Sequence, residues 1–192
     1  MISKRIYDKI NYTLLLIAFI GISTTKIALS WCTVLFIINF VLGEGLISRI
    51  KTVWSLPLNR WIILFFGLNI IGLTWTSDIT AGLKLVKGYL PLLILPLIAS
   101  TTSFTTNQTK TFLKGFLAGL VFTSIYNFLY INQVFGSIKI QDFREMSRFG
   151  SHIRYAILVV AGIMVCIESI RNKQIKIFSN KLSILLIIWF TF

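Results

Sequence analysis

The sequence is short of acid. Among 192 residues there are 6 aspartates and glutamates and 1 histidine, against 19 lysines and arginines. Charged residues of both signs make up 13%, where a soluble domain carries about 25%. The few carboxylates form no acidic cluster and there is one histidine, so no His/Asp/Glu metal set is read from the sequence. Cysteine is nearly absent too. Cys32 and Cys166 both fall inside apolar runs, and neither belongs to a CxxC or Cys/His pattern. They read as small buried hydrophobes. No GxxxxGK[ST] and no GxGxxG occurs, so the phosphate-cradling loops of nucleotide sites are missing. Neither a metal nor a cofactor is expected.

What is present is apolar. Hydrophobic residues reach 56% and aromatics 14%, with a mean hydropathy of +0.83. Residues 11–25, 27–43, 61–76, 88–106, 115–138 and 155–167 each lack Asp, Glu, Lys and Arg. A helix needs about 20 apolar residues to cross the ~30 Å hydrocarbon layer. These runs do not alternate in polarity as barrel strands would. The expected fold is therefore all-α, a polytopic transmembrane helix bundle forming a single domain over 1–192. Helices are placed at 10–25, 27–46, 61–77, 82–101, 112–133, 151–170 and from 182 onward. That makes about six complete helices and a truncated seventh. The seventh, "LSILLIIWFTF", has too few residues to span, so the chain is expected to be the N-terminal part of a longer protein. Lys4, Arg5 and Lys9 precede "TLLLIAFIGI" in the order of a signal peptide, but no A-x-A site follows, and an uncleaved first helix is expected. "EGLISRIKTVWSLPLNR" (44–60) reads as the first substantial loop, and "TTSFTTNQTK" (101–110) as another. Pro91 and Pro96 in "PLLILP" predict a kink or a break. "GFLAG", Gly115 to Gly119, fits the small-xxx-small pattern of close helix packing.

The net charge of +13 would raise nucleic acid as a partner for a soluble protein. Here the cations lie in short connections between apolar runs, which is how membrane chains set orientation; no nucleic-acid partner is expected. With the N-terminus cytoplasmic, the inner side holds Lys4, Arg5, Lys9, Arg49, Lys51, Arg60, Lys110, Lys114, Arg171, Lys173, Lys176 and Lys181, twelve of the 19. The outer side holds Lys26, Lys84, Lys87, Lys139, Arg144, Arg148 and Arg154, the other seven. The bias supports that orientation. It also isolates two outer concentrations of charge, "LKLVKGY" and residues 139–154.

Cations on the translocated side point to an anion there, and arginine's planar fork suits phosphate. If 144–155 is helical, Arg144, Arg148, His152 and Tyr155 share one face, with Arg154 pointing elsewhere. A diphosphate could be held along that stripe. The plainer reading is that these side chains snorkel to lipid phosphates, that Glu145 and Arg148 form an i, i+3 pair, and that His152 is polar surface. Lys84 and Lys87 divide the same way, between a second phosphate contact and snorkelling lysines behind an Asp78 that favours a helix start.

At these residues the chain resembles a known family. "LNIIGLTWTSDITAGLKLVKGYLPLLILPLI" (68–98) resembles the early helices of the O-antigen ligase and polymerase family, and "RFGSHIRYAILVVAGI" (148–163) resembles the start of its second half. The resemblance covers about 70–165. It implies a bacterial inner-membrane glycosyltransferase that needs no metal. Such a protein takes a polyprenyl-diphosphate-linked glycan on the periplasmic side and passes it to a glycolipid or glycan acceptor. It also implies that outer-face cations hold the diphosphate: Arg148 and Arg154 first, then Lys87 and Arg144, with His152 and Tyr155 as accessory residues. The family's catalytic histidine lies on a large periplasmic loop after more helices than this chain has. No catalytic role passes to His152, and a fragment of this extent would bind donor without transferring it. The alternatives from other classes are a transporter or flippase segment for an anionic or lipid-linked substrate, and a non-catalytic structural membrane subunit.

Overall fold

A computed structural model describes residues 3–134, 152–172 and 176–191. The described residues form eight helices and no strand. These are α1 (Lys4–Thr24), α2 (Lys26–Leu42), α3 (Leu46–Ser55), α4 (Pro57–Gly72), α5 (Ile79–Thr101), α6 (Thr106–Ile131), α7 (His152–Arg171) and α8 (Asn180–Thr191). Four of them, α1, α5, α6 and α7, are long and apolar enough to cross a membrane, and five spans result if α3 and α4 count as one broken span. The chain is thus an all-helical, multi-pass membrane protein.

Two stretches differ from the sequence expectation. The segment 44–60 is not a loop: it holds all of α3 and the first turn of α4. Its charges suggested a connection, but Leu46, Ile47, Ile50, Val53 and Trp54 fall at helical spacing. The second is α5, which runs unbroken through Pro91 and Pro96. Each proline leaves the carbonyl four residues earlier, on Lys87 and Leu92, without its helical N–H, a loss that membrane helices tolerate. Helix ends also extend past the apolar runs. α6 starts at Thr106 rather than 112, because Thr105 and Gln108 make a reciprocal capping box. Asp78 caps α5 by accepting the Ala81 N–H at 2.9 Å.

The chain forms two compact units. The first contains residues 1–14 and 30–103. Here α3 packs on α4 and α5, and α4 packs on α5. Its interior carries a polar chain. Asn39 Nδ2 donates to Asn11 Oδ1 at 2.7 Å, Asn11 Nδ2 donates to Thr102 Oγ1 at 2.9 Å, and the Tyr7 hydroxyl pairs with Thr101 Oγ1 at 3.1 Å. Interhelical amide bonds of this kind fix register where the hydrophobic effect between helices is weak. Arg49 lies under two rings, its guanidinium carbon 4.5 Å from the Tyr7 centroid and 4.9 Å from that of Phe40. It donates to the Gly43 carbonyl just past the end of α2. That puts a cation on the negative end of the α2 dipole. A side chain at 43 would meet Tyr7 Cδ2 at 2.6 Å and Arg49 Nη1 at 2.9 Å, so the position requires glycine. Gly45, at φ +69°, supplies the left-handed residue that turns the chain into α3.

The second unit contains residues 15–29 and 104–192. α7 packs against α8 and α6 around a core of Phe116, Leu117, Leu120, Cys166, Leu186 and Phe190. The GFLAG expectation holds. A Cβ on Gly119 would lie 2.7 Å from the Ile20 carbonyl oxygen, and one on Gly115 would lie 3.1 Å from Ile20 Cγ1. One turn further along α6, Thr123 Oγ1 donates to the Ser23 carbonyl at 3.0 Å.

Candidate functional site

The second unit contains an apolar cleft of about 570 Å³. The last two turns of α6 supply Ser124, Asn127, Phe128 and Ile131; α7 supplies Tyr155, Ala156, Val159, Val160 and Ile163; α8 supplies Trp189 and Phe190. The α7 residues recur at i, i+1, i+4, i+5 and i+8, a single stripe down the helix. The cleft therefore sits where α6 ends and α7 begins, and the segment joining those ends carries Arg144 and Arg148.

One end of the cleft is polar. Trp189 Nε1 donates to Ser124 Oγ at 2.9 Å, and the Tyr155 side chain approaches those of Ser124 and Asn127. Asn127 is 6% exposed. Its carbonyl oxygen is buried with no hydrogen-bond partner. An amide oxygen left unpaired in an apolar surround costs about 1–3 kcal/mol, so a donor entering the cleft would gain that back. The combination of a long apolar wall with a few convergent polar groups is the usual form of a small-molecule site, and its size lies within the common range of about 300–1,000 Å³.

The site residues expected from sequence are not all brought together. Tyr155 lines the cleft. His152 is exposed at the first position of α7. It lies three and four positions before Tyr155 and Ala156, so it continues the cleft stripe toward the membrane surface. Arg154 is half-buried, and its position in the helical repeat is on the far side of α7 from the stripe. Lys87 is exposed on α5 in the first unit. Arg144 and Arg148 lie outside the described residues. Sequence reasoning missed Ser124, Asn127 and Trp189. The available signal was a serine and an asparagine three apart in the longest uncharged run, 115–138.

A second cavity, of about 330 Å³, belongs to the first unit and is polar, with Lys4, Asp8, Glu44 and Arg49 among its lining. Among the described residues, no three His, Cys, Asp or Glu side chains are placed to hold a metal.

The fold and the cleft define a class, that of multi-pass helical membrane proteins with an apolar site opening near one helix-end level. Comparison with models of known protein families, with curated proteins and with solved structures returns no match to this chain.

Proposed function

We propose that this chain is an O-antigen ligase- or polymerase-like membrane protein handling a polyprenyl-diphosphate-linked glycan in surface polysaccharide or lipopolysaccharide assembly. The observation that carries the reading is the cleft between α6, α7 and α8, apolar along its walls and polar at one end. An isoprenoid chain is a long hydrocarbon and suits the walls. Its diphosphate would then lie near the α6–α7 connection, within the region that carries His152, Arg144 and Arg148. Phosphate in that position takes charge-assisted hydrogen bonds from guanidinium and, when protonated, imidazolium. Arg154 and Lys87 are assigned to the same leaflet by the count of Lys and Arg, but Arg154 stands on the far side of α7 from the cleft and Lys87 belongs to the first unit, so neither is given a contact in this cleft. In this reading the protein sits in a bacterial inner membrane with its N-terminus cytoplasmic, and the donor arrives already activated, with an acceptor glycan or glycolipid as the second substrate.

The test is retention of a polyprenyl-diphosphate-linked glycan by the purified protein carrying Arg144→Gln or Arg148→Gln, with membrane insertion measured in parallel. Retention falling by tenfold or more, equivalent to about 1.4 kcal/mol, at normal insertion is the expected result. Unchanged retention in both variants leaves the arginines as lipid contacts and removes the diphosphate reading.

A further inference from the structure

Helix α3 is amphipathic, and its apolar face is largely uncovered. Val53 is 5% exposed and faces the protein, but Ile47, Ile50 and Trp54 are 72%, 50% and 57% exposed. These three lie on one side of the helix, since 47, 50 and 54 recur at i, i+3 and i+7. The opposite side carries Ser48, Thr52 and Ser55, with Lys51 at the border. Arg49 and Lys51 are its charges, and it has no acid.

The axis of α3 is turned 97° from that of α4. This corner is built in. Leu56 is extended and Pro57 occupies the first turn of α4, as the residue before a proline and the start of a helix require. The carbonyls left open at the end of α3 are taken up from α4. Asn59 Nδ2 donates to the Val53 carbonyl at 3.2 Å and Arg60 Nε to the Trp54 carbonyl at 2.6 Å. Asn59 also donates to Ser100 Oγ on α5 at 3.0 Å. α4 has 16 residues, and turn hydrogen bonds carry the chain on through Trp75; if this stretch crosses the bilayer without α3, a right-angled corner at its first residue lays α3 flat. At the other end of α3, Arg49 stacks on Tyr7, which sets the helix level with the first turns of α1.

We propose that α3 lies in the plane of the bilayer interface, with the Ile47–Ile50–Trp54 ridge among the acyl chains and Lys51 against anionic lipid phosphates. The occupant of the uncovered face is the lipid itself. A re-entrant path would carry Arg49, Lys51 and three hydroxyls of α3 into hydrocarbon, where each is costly. An interfacial path lets the ridge enter about 5–10 Å while the polar side stays in water. The polar side also borders the 330 Å³ cavity, through Ser48, Arg49 and Thr52, beside Lys4, Asp8 and Glu44.

Single nitroxide labels at 47, 50, 54, 48 and 52, in full-length protein in anionic vesicles with Cys32 and Cys166 replaced by Ala, test this. Collision with oxygen and with a water-soluble nickel chelate is the readout. Labels at 47, 50 and 54 are expected to favour oxygen, at one common depth of about 5–10 Å, and those at 48 and 52 to favour nickel. Nickel preference at all five positions overturns the proposal, as does a depth that increases steadily from 47 to 54. Dipolar broadening between copies at 47 also overturns it, since the ridge would then meet a second chain. An unlabelled check covers variants that fail to insert: lipids brominated near the headgroup should quench wild-type fluorescence more than that of Trp54→Phe. Equal quenching counts against the proposal.

Discussion

Gly119 and Asn127 stand for two kinds of residue on α6. Gly119 lets a backbone approach: its missing Cβ would fall 2.7 Å from the Ile20 carbonyl, and a backbone atom cannot swing aside. Gly119→Leu is expected to destabilise the second unit by about 1–3 kcal/mol, the range for overpacking, read as earlier unfolding in detergent micelles. Gly115→Ala should cost less, because its nearest neighbour is the end of the Ile20 side chain at 3.1 Å. Asn127 is the reverse case, a side chain that meets Tyr155 while its own carbonyl oxygen is buried without a partner. Asn127→Leu is expected to change thermal stability by less than about 1 kcal/mol, since losing the Tyr155 contact is offset by removing the unpaired oxygen. If the cleft holds a lipid-linked donor, the same change should weaken donor retention by fivefold or more, about 1 kcal/mol. Retention unchanged in Asn127→Leu argues against a donor group at that oxygen.

The corner between α3 and α4 shows how elements are fixed by a few polar side chains. Asn59 is buried and serves two acceptors, the Val53 carbonyl and Ser100 Oγ. Asn59→Leu is expected to cost about 1–3 kcal/mol by stranding a buried carbonyl. Arg60→Gln, at an exposed position beside it, should cost less than about 1 kcal/mol. Equal losses in the two variants, measured by unfolding in micelles, would count against the corner's dependence on Asn59. Which elements were legible follows from the same chemistry. The long uncharged runs pointed to α1, α2 and α4 to α8, because apolar runs of this length that do not alternate in polarity have few fates other than a helix in a membrane. The first turns of α1 and α6 were hidden, since "KRIYDK" and "TNQTKT" are polar and their helicity comes from capping and continuation. α3 was hidden by its cations, although its period of 3.6 was there to be read.

On the scale of the whole molecule, the sequence carried the bundle and one end of the cleft. His152 and Tyr155 stood out because they are polar beside an apolar run. Ser124, Asn127 and Trp189 did not, because the cleft is made by three helices meeting and no local pattern encodes a meeting. Two measurements belong to this scale. If the cleft holds a lipid-linked donor as proposed, Ala156→Trp should fill it and reduce donor retention by tenfold or more, about 1.4 kcal/mol, while Ile157→Trp, exposed on the same turn and outside the lining, should not. Equal retention in the two variants removes the cleft from donor binding. Cysteine at Ser147 or Gly150 should react with an impermeant reagent added outside the cell; labelling from the interior alone reverses the orientation and removes the periplasmic assignment.

The bond between Trp189 and Ser124 has an optical consequence. Trp189 is the sole tryptophan of the second unit, since Trp31, Trp54, Trp61 and Trp75 all belong to the first. With those four changed to phenylalanine, the remaining indole stands at the polar end of the cleft and is 39% exposed. Its emission colour then becomes a gauge of occupancy: a hydrocarbon tail that displaces water from the ring shifts the spectrum toward the blue, and the protein reports its own loading without an added dye.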